Sequence, residues 1–312
     1  MTRLVAISVS LLSSGSAMGC MGVGWRGAPV RFSGQTNIVI WDKAHQTEHF
    51  VRDARFETNG KSLGFIAPTP GRPEIEAVDG EAFELLRRLD PAASRQILTL
   101  GAGGRGGRGV TVIEKKIVAG YEATVLRADD VVQLVSWLRS NGYSVPRYTD
   151  AWVSPYVQRK WYFTAFKVAA HKGAGATGPV RMSFKTSLPF NPYSVPTENR
   201  GRGGLELYYI SPTADKAKIG GTKPWLDSRW SDFIGDPLAE KLEASLKLPK
   251  GSIPKGSFVN CYRDTNFGRN DDVYFVEKPR KIVPTKFGGL AGVTALGLCA
   301  LVCPMWRRAK RR

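Results

Sequence analysis

An α+β fold with a largely antiparallel sheet, three or four helices and one C-terminal transmembrane helix is what this sequence predicts, on three observations. The β-rich runs number about nine, and they do not alternate with helices as βαβ units would. Residues 110–170 read as a complete supersecondary unit: a hairpin, an amphipathic helix and a strand with large residues on both faces. The two ends differ in composition from everything between them.

The N-terminus, MTRLVAISVSLLSSGSAMGC, has one basic residue, an apolar run and then small residues, the layout of an export signal over 1–19. Cleavage near Gly19 leaves Cys20 at the mature end. A lipoprotein box would modify that cysteine, but Ala17 and Met18 match it only in part, so plain cleavage and lipidation both stand. At the other end, residues 287–306 carry no charge and reach the ~20 residues that cross a bilayer; the basic tail RRAKRR (307–312) follows and belongs on the cytoplasmic side. The body, 20–286, is therefore expected outside the cytoplasm as the ectodomain of a single-pass membrane protein. Gly288 and Gly292 form a GxxxG near the outer end of this span, and Cys299 and Cys303 share one of its faces.

Within the body, TNIVIW (36–41) and EHFVRDARF (48–56) read as strands joined by the polar connection DKAHQT. KSLGFIAPTPGRP (61–73) is an apolar strand whose prolines Pro68, Pro70 and Pro73 signal a sheet edge or an exit. GEAFELLRRL (80–89) is a short amphipathic helix stopped at Asp90-Pro91, and a glycine-rich loop (101–109) follows. VTVIEKKIV and YEATVL meet at Ala119-Gly120, a hairpin signal. In DDVVQLVSWLRSNG, Val131, Leu134, Val135 and Leu138 recur at helical spacing, with Asp129 and Asp130 at the positive end and Gly142 at the stop. Residues 144–156 read as turns. KWYFTAFKVAA (160–170) reads as a central strand, with Trp161, Phe163 and Ala165 on one face and Tyr162, Phe166 and Val168 on the other.

A linker (171–179) leads to PVRMSFKTSLPFNPYS and then LELYYI (205–210), both strands, while 211–235 shows turns without a period. Asp236 as N-cap and Pro237 at the first position open a helix. SFVNCYRD and DDVYFVEK read as a last hairpin before a basic stalk (279–286).

Charge narrows the partners. The chain of 312 residues holds 45 Lys and Arg against 27 Asp and Glu; setting aside Arg3 and the five basic residues of the tail leaves 39 against the same 27, a formal +12 for the body. Outside a membrane such a field meets anionic headgroups, an anionic polysaccharide or an envelope protein, and no nucleic acid is expected. Gly101-Ala102-Gly103-Gly104-Arg105-Gly106 spells G-x-G-x-x-G, but a strand and not a helix follows, so it reads as a loop.

Two constellations are candidate metal sites. His45-Gln46-Thr47-Glu48-His49 spells H-x-x-E-H, in which His45 and His49 would ligate zinc with Glu48 as base; that chemistry needs a helix, and these residues lie between two β-rich runs. Asp264, Asn266, Asn270 and Asp272 around Gly268 place oxygens as a calcium loop would, with Asp271 among them, but the bidentate Glu is not at its usual position. Ordinary turns account for both, so no cofactor is expected, with zinc and calcium as the alternatives. Cys20 and Cys261 are the cysteines available for a disulfide in the body. Trp41, Trp152, Trp161 and Tyr162 would suit a sugar-stacking surface but are better explained as core.

The stretches IVIWDKAHQTEHFVRDARFE, SLGFIAPTP, GYEATVLRADDVVQLVSWLRSNGY, WVSPYVQRKWYFTAFKV and RMSFKTSLPFNPYS resemble, in the same order, a family of exported bacterial proteins known only as a domain of unknown function. The resemblance implies export, often with a C-terminal span, and implies no activity. It places EHFVR within the family pattern and His45 and the glycine-rich loop in variable regions. Two functions follow as expectations: a non-enzymatic envelope module that binds or supports, or an extracytoplasmic metal- or carboxylate-dependent hydrolase using Glu48 and Asp42 beside His49.

Overall fold

The structure is a computed structural model that describes residues 21–24, 30–58, 63–92, 112–143, 145–168, 178–194, 204–265 and 271–278. The signal segment, the glycine-rich loop, most of the linker and everything from 279 onward lie outside these residues, and with them Cys20, Asn266, Asn270 and the 287–306 span. Among the described residues no helix is long and apolar enough to cross a membrane.

The first elements are β1 (Met21–Gly24), β2 (Val30–Asp42), β3 (Thr47–Thr58), β4 (Leu63–Thr69), β5 (Glu74–Ala77) and α1 (Glu81–Arg87). Then come β6 (Val112–Val118), β7 (Tyr121–Arg127), α2 (Val131–Ser140), α3 (Thr149–Gln158) and β8 (Tyr162–Val168). The chain continues through β9 (Val180–Lys185), β10 (Phe190–Asn191), β11 (Leu205–Ser211), β12 (Asp215–Ile219), β13 (Lys223–Pro224) and β14 (Trp230–Phe233). It closes with α4 (Asp236–Ser245), β15 (Phe258–Asp264) and β16 (Val273–Glu277). The class is α+β with mostly antiparallel sheets and four helices; among the described pairings only β11 with β2 is parallel.

Three sheets form: β1-β4-β8-β7-β6, β10-β16-β12-β13 and β14-β15-β11-β2-β3-β9-β5. Strand alternation divides each sheet's residues between two layers. One face of the seven-stranded sheet, with Val39, Phe50 and Tyr209, packs on Phe65 and Phe166 of the five-stranded sheet and Phe275 of the four-stranded one. Its other face, with Ile38, Val51 and Tyr208, is covered by Phe83 and Leu86 of α1 and Leu242 of α4. The five-stranded sheet turns its outer face, Ile66, Phe163 and Ala165, to Leu134 and Trp137 of α2 and Trp152 and Val153 of α3. The result is a helix pair, a sheet layer, a second sheet layer and a helix pair. At the centre Phe65 stacks on Phe166 at 4.4 Å with Tyr121 edge-on to both, pairs of a kind worth about 0.5–1.5 kcal/mol each beyond their burial.

The best-specified local elements form as their chemistry requires. Ala119 and Gly120 take φ of 47° and 84°, the mirror-image turn that matches strand twist. Asp130 caps α2 by accepting from Val132 and Gln133 N–H, and Gly142 at φ 83° ends it while Tyr143 N–H returns to Leu138 C=O. β8 is central in its sheet, with Phe166 in the inter-sheet core and Phe163 and Ala165 against the helices.

Other expectations fail for tertiary reasons. Residues 149–158 form α3 despite Pro155, because Trp152, Val153, Tyr156 and Val157 bury one face, and packing outweighs the hydrogen bond a proline removes. The aperiodic 211–235 contains β12, β13 and β14, which are short strands supported by β15 and β16. β15 and β16 are not a hairpin: β15 pairs β11 and β14, β16 pairs β10 and β12, in different sheets. Among the described residues sixteen strands stand where about nine are expected. Asp236 lies one position inside α4, with Gly235 as N-cap, where its carboxylate still meets the positive helix end. β4 is an interior strand between β1 and β8; Pro68 sits past the end of β1, where a missing N–H leaves no ladder bond unmade on that side.

Candidate functional site

The β2–β3 hairpin carries the H-x-x-E-H residues, and its register decides their fate. Trp41 lies opposite Glu48 and Ile40 opposite His49, and His49 in turn lies opposite Ser183 of β9. Adjacent residues of a strand point to opposite faces, so Glu48 enters the inter-sheet core while His49 faces the α1–α4 side. His45 is in the turn between the strands. The pentad thus does not converge, in contrast to the helical arrangement that the zinc signature requires.

Glu48 is fully buried, and its Oε2 accepts from Phe190 N–H at 2.8 Å. Burial pushes its carboxyl well above the usual range, with that single hydrogen bond opposing, so the neutral acid is favoured. Beside it Asn37 Nδ2 donates to Asn191 Oδ1 at 2.8 Å, tying β2 to β10.

On the other face His49 Nδ1 stands 2.8 Å from Ser183 Oγ. Burial, and next the charge of Arg181, lower its pKa to about 4, so the imidazole is neutral near pH 7. Arg181 donates to the C=O of Leu246 at 2.9 Å and to that of Lys247, and pairs with Glu74 at 3.0 Å, so it closes the carbonyl end of α4. Asp42 accepts from His45 N–H at 3.1 Å, its Oδ2 lies 2.6 Å from His45 Nδ1, and Lys185 Nζ donates to His45 C=O at 2.7 Å. Asp42 and His45 thus contact each other, whereas His49 contacts Ser183.

The acidic loop behaves similarly. Asp272 Oδ1 accepts from Tyr156 hydroxyl at 3.0 Å, Tyr193 N–H at 3.0 Å and Ser194 N–H at 3.1 Å. Burial raises its pKa to about 6 against those three opposing donors. Asp264 accepts from the Tyr193 hydroxyl, and Asp271 Oδ1 from Asp272 N–H at 2.8 Å. Among the described residues no group of three or more His, Cys, Asp or Glu stands where it could hold a metal ion. Cys261 is a buried free thiol pushed up to about 12 by burial. Of the aromatic candidates, Trp41 and Trp152 are buried, Trp152 Nε1 donating to Ser194 C=O at 2.9 Å, and Trp161 and Tyr162 pack against the inter-sheet core.

Ser183 and Arg181 were not singled out by sequence, although the alternation of Arg181, Ser183 and Lys185 with Val180, Met182 and Phe184 places all three on one face. Also unforeseen is Asp215, whose carboxylate collects the hydroxyls of Tyr209, Ser211 (2.8 Å) and Thr213 (2.9 Å). No local signal links a tyrosine on one strand to an acid at the start of the next.

The family described as "Uncharacterized protein conserved in bacteria (DUF2330)" matches residues 14–219. No curated protein matches. Among solved structures the chain is similar to baculovirus P35 (TM-score 0.40, 8% identity, covering 81% of this chain and 98% of that one). It is similar also to a mutated baculovirus P35 after caspase cleavage (TM-score 0.37, 9% identity, covering 78% and 94%). At such scores neither likeness bears on what this chain does.

Proposed function

The chain belongs to this bacterial family, and from that premise we propose that it is a membrane-anchored domain of the cell envelope, a non-enzymatic binding or structural module. In this reading 1–19 directs export, 20–286 lies outside the cytoplasm, 287–306 spans the membrane and 307–312 stays inside. The sequence patterns at both ends support it, as does the basic excess of the body, whose partner is then an envelope protein or an anionic polysaccharide. The observation that carries the non-enzymatic part is the commitment of the candidate polar groups to partners in the fold. Glu48 is held by Phe190, His49 by Ser183, Asp42 by His45 and Asp272 by three donors.

A second reading, an extracytoplasmic hydrolase, rests on His49 and Ser183, a neutral imidazole 2.8 Å from a hydroxyl. The purified full chain separates them. A binding module shows no stoichiometric zinc or calcium by elemental mass spectrometry, a melt unmoved by chelator, and envelope partners captured by cross-linking. Zinc lost on His49→Gln, or ester or peptide hydrolysis lost on Ser183→Ala, would establish the hydrolase instead.

A further inference from the structure

The strand register gathers, at one end of the molecule, features that no single segment reveals. Phe233 of β14 lies opposite Phe258 of β15, and Phe258 lies opposite Ser211 of β11. β11 runs parallel to β2, with Ile210 opposite Ile40, so the same end carries the turn 43–46 and, through Thr47 opposite Lys185, the end of β9. β16 finishes there too: Glu277 lies opposite Asp215, Lys43 Nζ reaches its carboxylate at 2.6 Å, and Lys278 N–H donates to Ala214 C=O. The chain thus leaves the described body at this end.

The chemistry of this end is distinctive. Among the described residues four large apolar side chains are exposed, and the two aromatic ones, Phe233 (53%) and Phe258 (49%), stand together here with ring centroids 5.6 Å apart. Lys43, Lys185, Lys255 and Lys278 are exposed at the same end. Of the acids here, Glu277 pairs with Lys43 and Asp236 with Lys255 at 2.9 Å, while Asp232 is exposed beside Phe233 and accepts from its N–H, so the four lysines outnumber these three acids by one. From β14 to β9 the edge spans five strand spacings, about 24 Å. Past Lys278 come eight residues, among them Arg280, Lys281 and Lys286, before the apolar stretch 287–306. Eight residues reach about 29 Å at most.

We propose that this end is a membrane-contacting face: Phe233 and Phe258 enter the interfacial layer of the bilayer while Lys43, Lys185, Lys255 and Lys278 meet anionic headgroups. The inference rests on the anchored reading above and adds to it the surface that faces the lipid. A short tether keeps this end near the bilayer; paired aromatics and flanking lysines are what an interface of apolar chains and anionic phosphates accepts.

The test is amide hydrogen exchange of the full chain reconstituted in vesicles of equimolar phosphatidylcholine and phosphatidylglycerol, against vesicles of phosphatidylcholine alone. Exchange is expected to slow at 43–46, 232–234 and 255–258 in the anionic vesicles. It should not change at 220–222, the turn at the opposite end. The slowing should disappear in Phe233→Ser/Phe258→Ser, and a cooperative melt lowered only by the loss of this half-exposed pair confirms that the variant is folded. A chain that resists carbonate extraction yet exchanges alike at these segments in both vesicles overturns the contact and leaves the anchor standing. A chain that carbonate extracts overturns the anchor, and the contact with it.

Discussion

Glu48 and Asp272 are both carboxyls withdrawn from water, and they respond differently. Glu48 has one identified donor, the N–H of Phe190, and its pKa rises well above the ordinary value; Asp272 has three donors and stops at about 6. Burial acts on both in the same direction. What separates them is how many hydrogen bonds favour the charged form, so a buried acid's titration reports the donors the fold brings to it. The same difference makes Asp272 an anchor: it joins α3, the 193–194 segment and the start of β16, whereas Glu48 fastens β3 to β10 alone.

The comparison breaks most readily at Asp272. Asp272→Ala leaves a tyrosine hydroxyl and two N–H groups without this acceptor, and should destabilise by about 3–5 kcal/mol in denaturant unfolding. Asp272→Asn, which keeps an acceptor oxygen, should lose less than half of that. Equal losses would mean that the charge, and not the acceptor, holds the three donors.

Next in size is the pH dependence, where His49 and Asp272 oppose each other. His49 titrates at about 4 folded and near 6.5 unfolded, so between those values only the unfolded chain takes the proton. Stability from this group is complete above 6.5 and is lost as pH falls toward 4, by about 3 kcal/mol. Asp272 is raised from 3.8 to about 6, so in that window the folded chain keeps the proton. Its contribution is present at acid pH and is lost as pH rises through about 6, again by about 3 kcal/mol. The His49→Gln chain should therefore lose stability from pH 4.5 to 6.5 relative to its own acid value, and Asp272→Asn should gain it. Parallel profiles for the two variants would break the assignment.

Smaller still is Glu48→Gln. It keeps the size and an acceptor for Phe190 N–H, and an amide stays neutral without taking up a proton, so at pH 7.5 stability should change by no more than about 1 kcal/mol, toward greater stability. A loss above that would indicate that the carboxylate form is needed. Smallest is Lys43→Ala, which removes a surface pair with Glu277 and should cost below about 1 kcal/mol, less in high salt.

The candidate site was legible only in pieces. Sequence placed His45 in a hairpin connection and Glu48-His49 at the start of a strand, and period-two alternation alone is enough to part those two side chains. It did not identify their partners. Phe190 lies 142 residues from Glu48, Ser183 lies 134 from His49, and Tyr156 lies 116 from Asp272. Those contacts depend on which strands become neighbours, and apolar alternation looks alike in strands of different sheets.

What this sequence determined by itself is local or compositional. The Ala119-Gly120 turn, the capped helix 131–140, the two-sided strand around Phe166, the β2–β3 hairpin and the family motifs all follow from side-chain period, capping groups and turn chemistry within a few residues. Tertiary structure alone decided that β15 and β16 enter different sheets, that α3 forms across Pro155, that β14 is held as a strand by β15, and that Phe233, Lys185 and Lys278 share one end. Each of these rests on pairing energy between segments distant in sequence, which a local pattern does not encode and a folded core does.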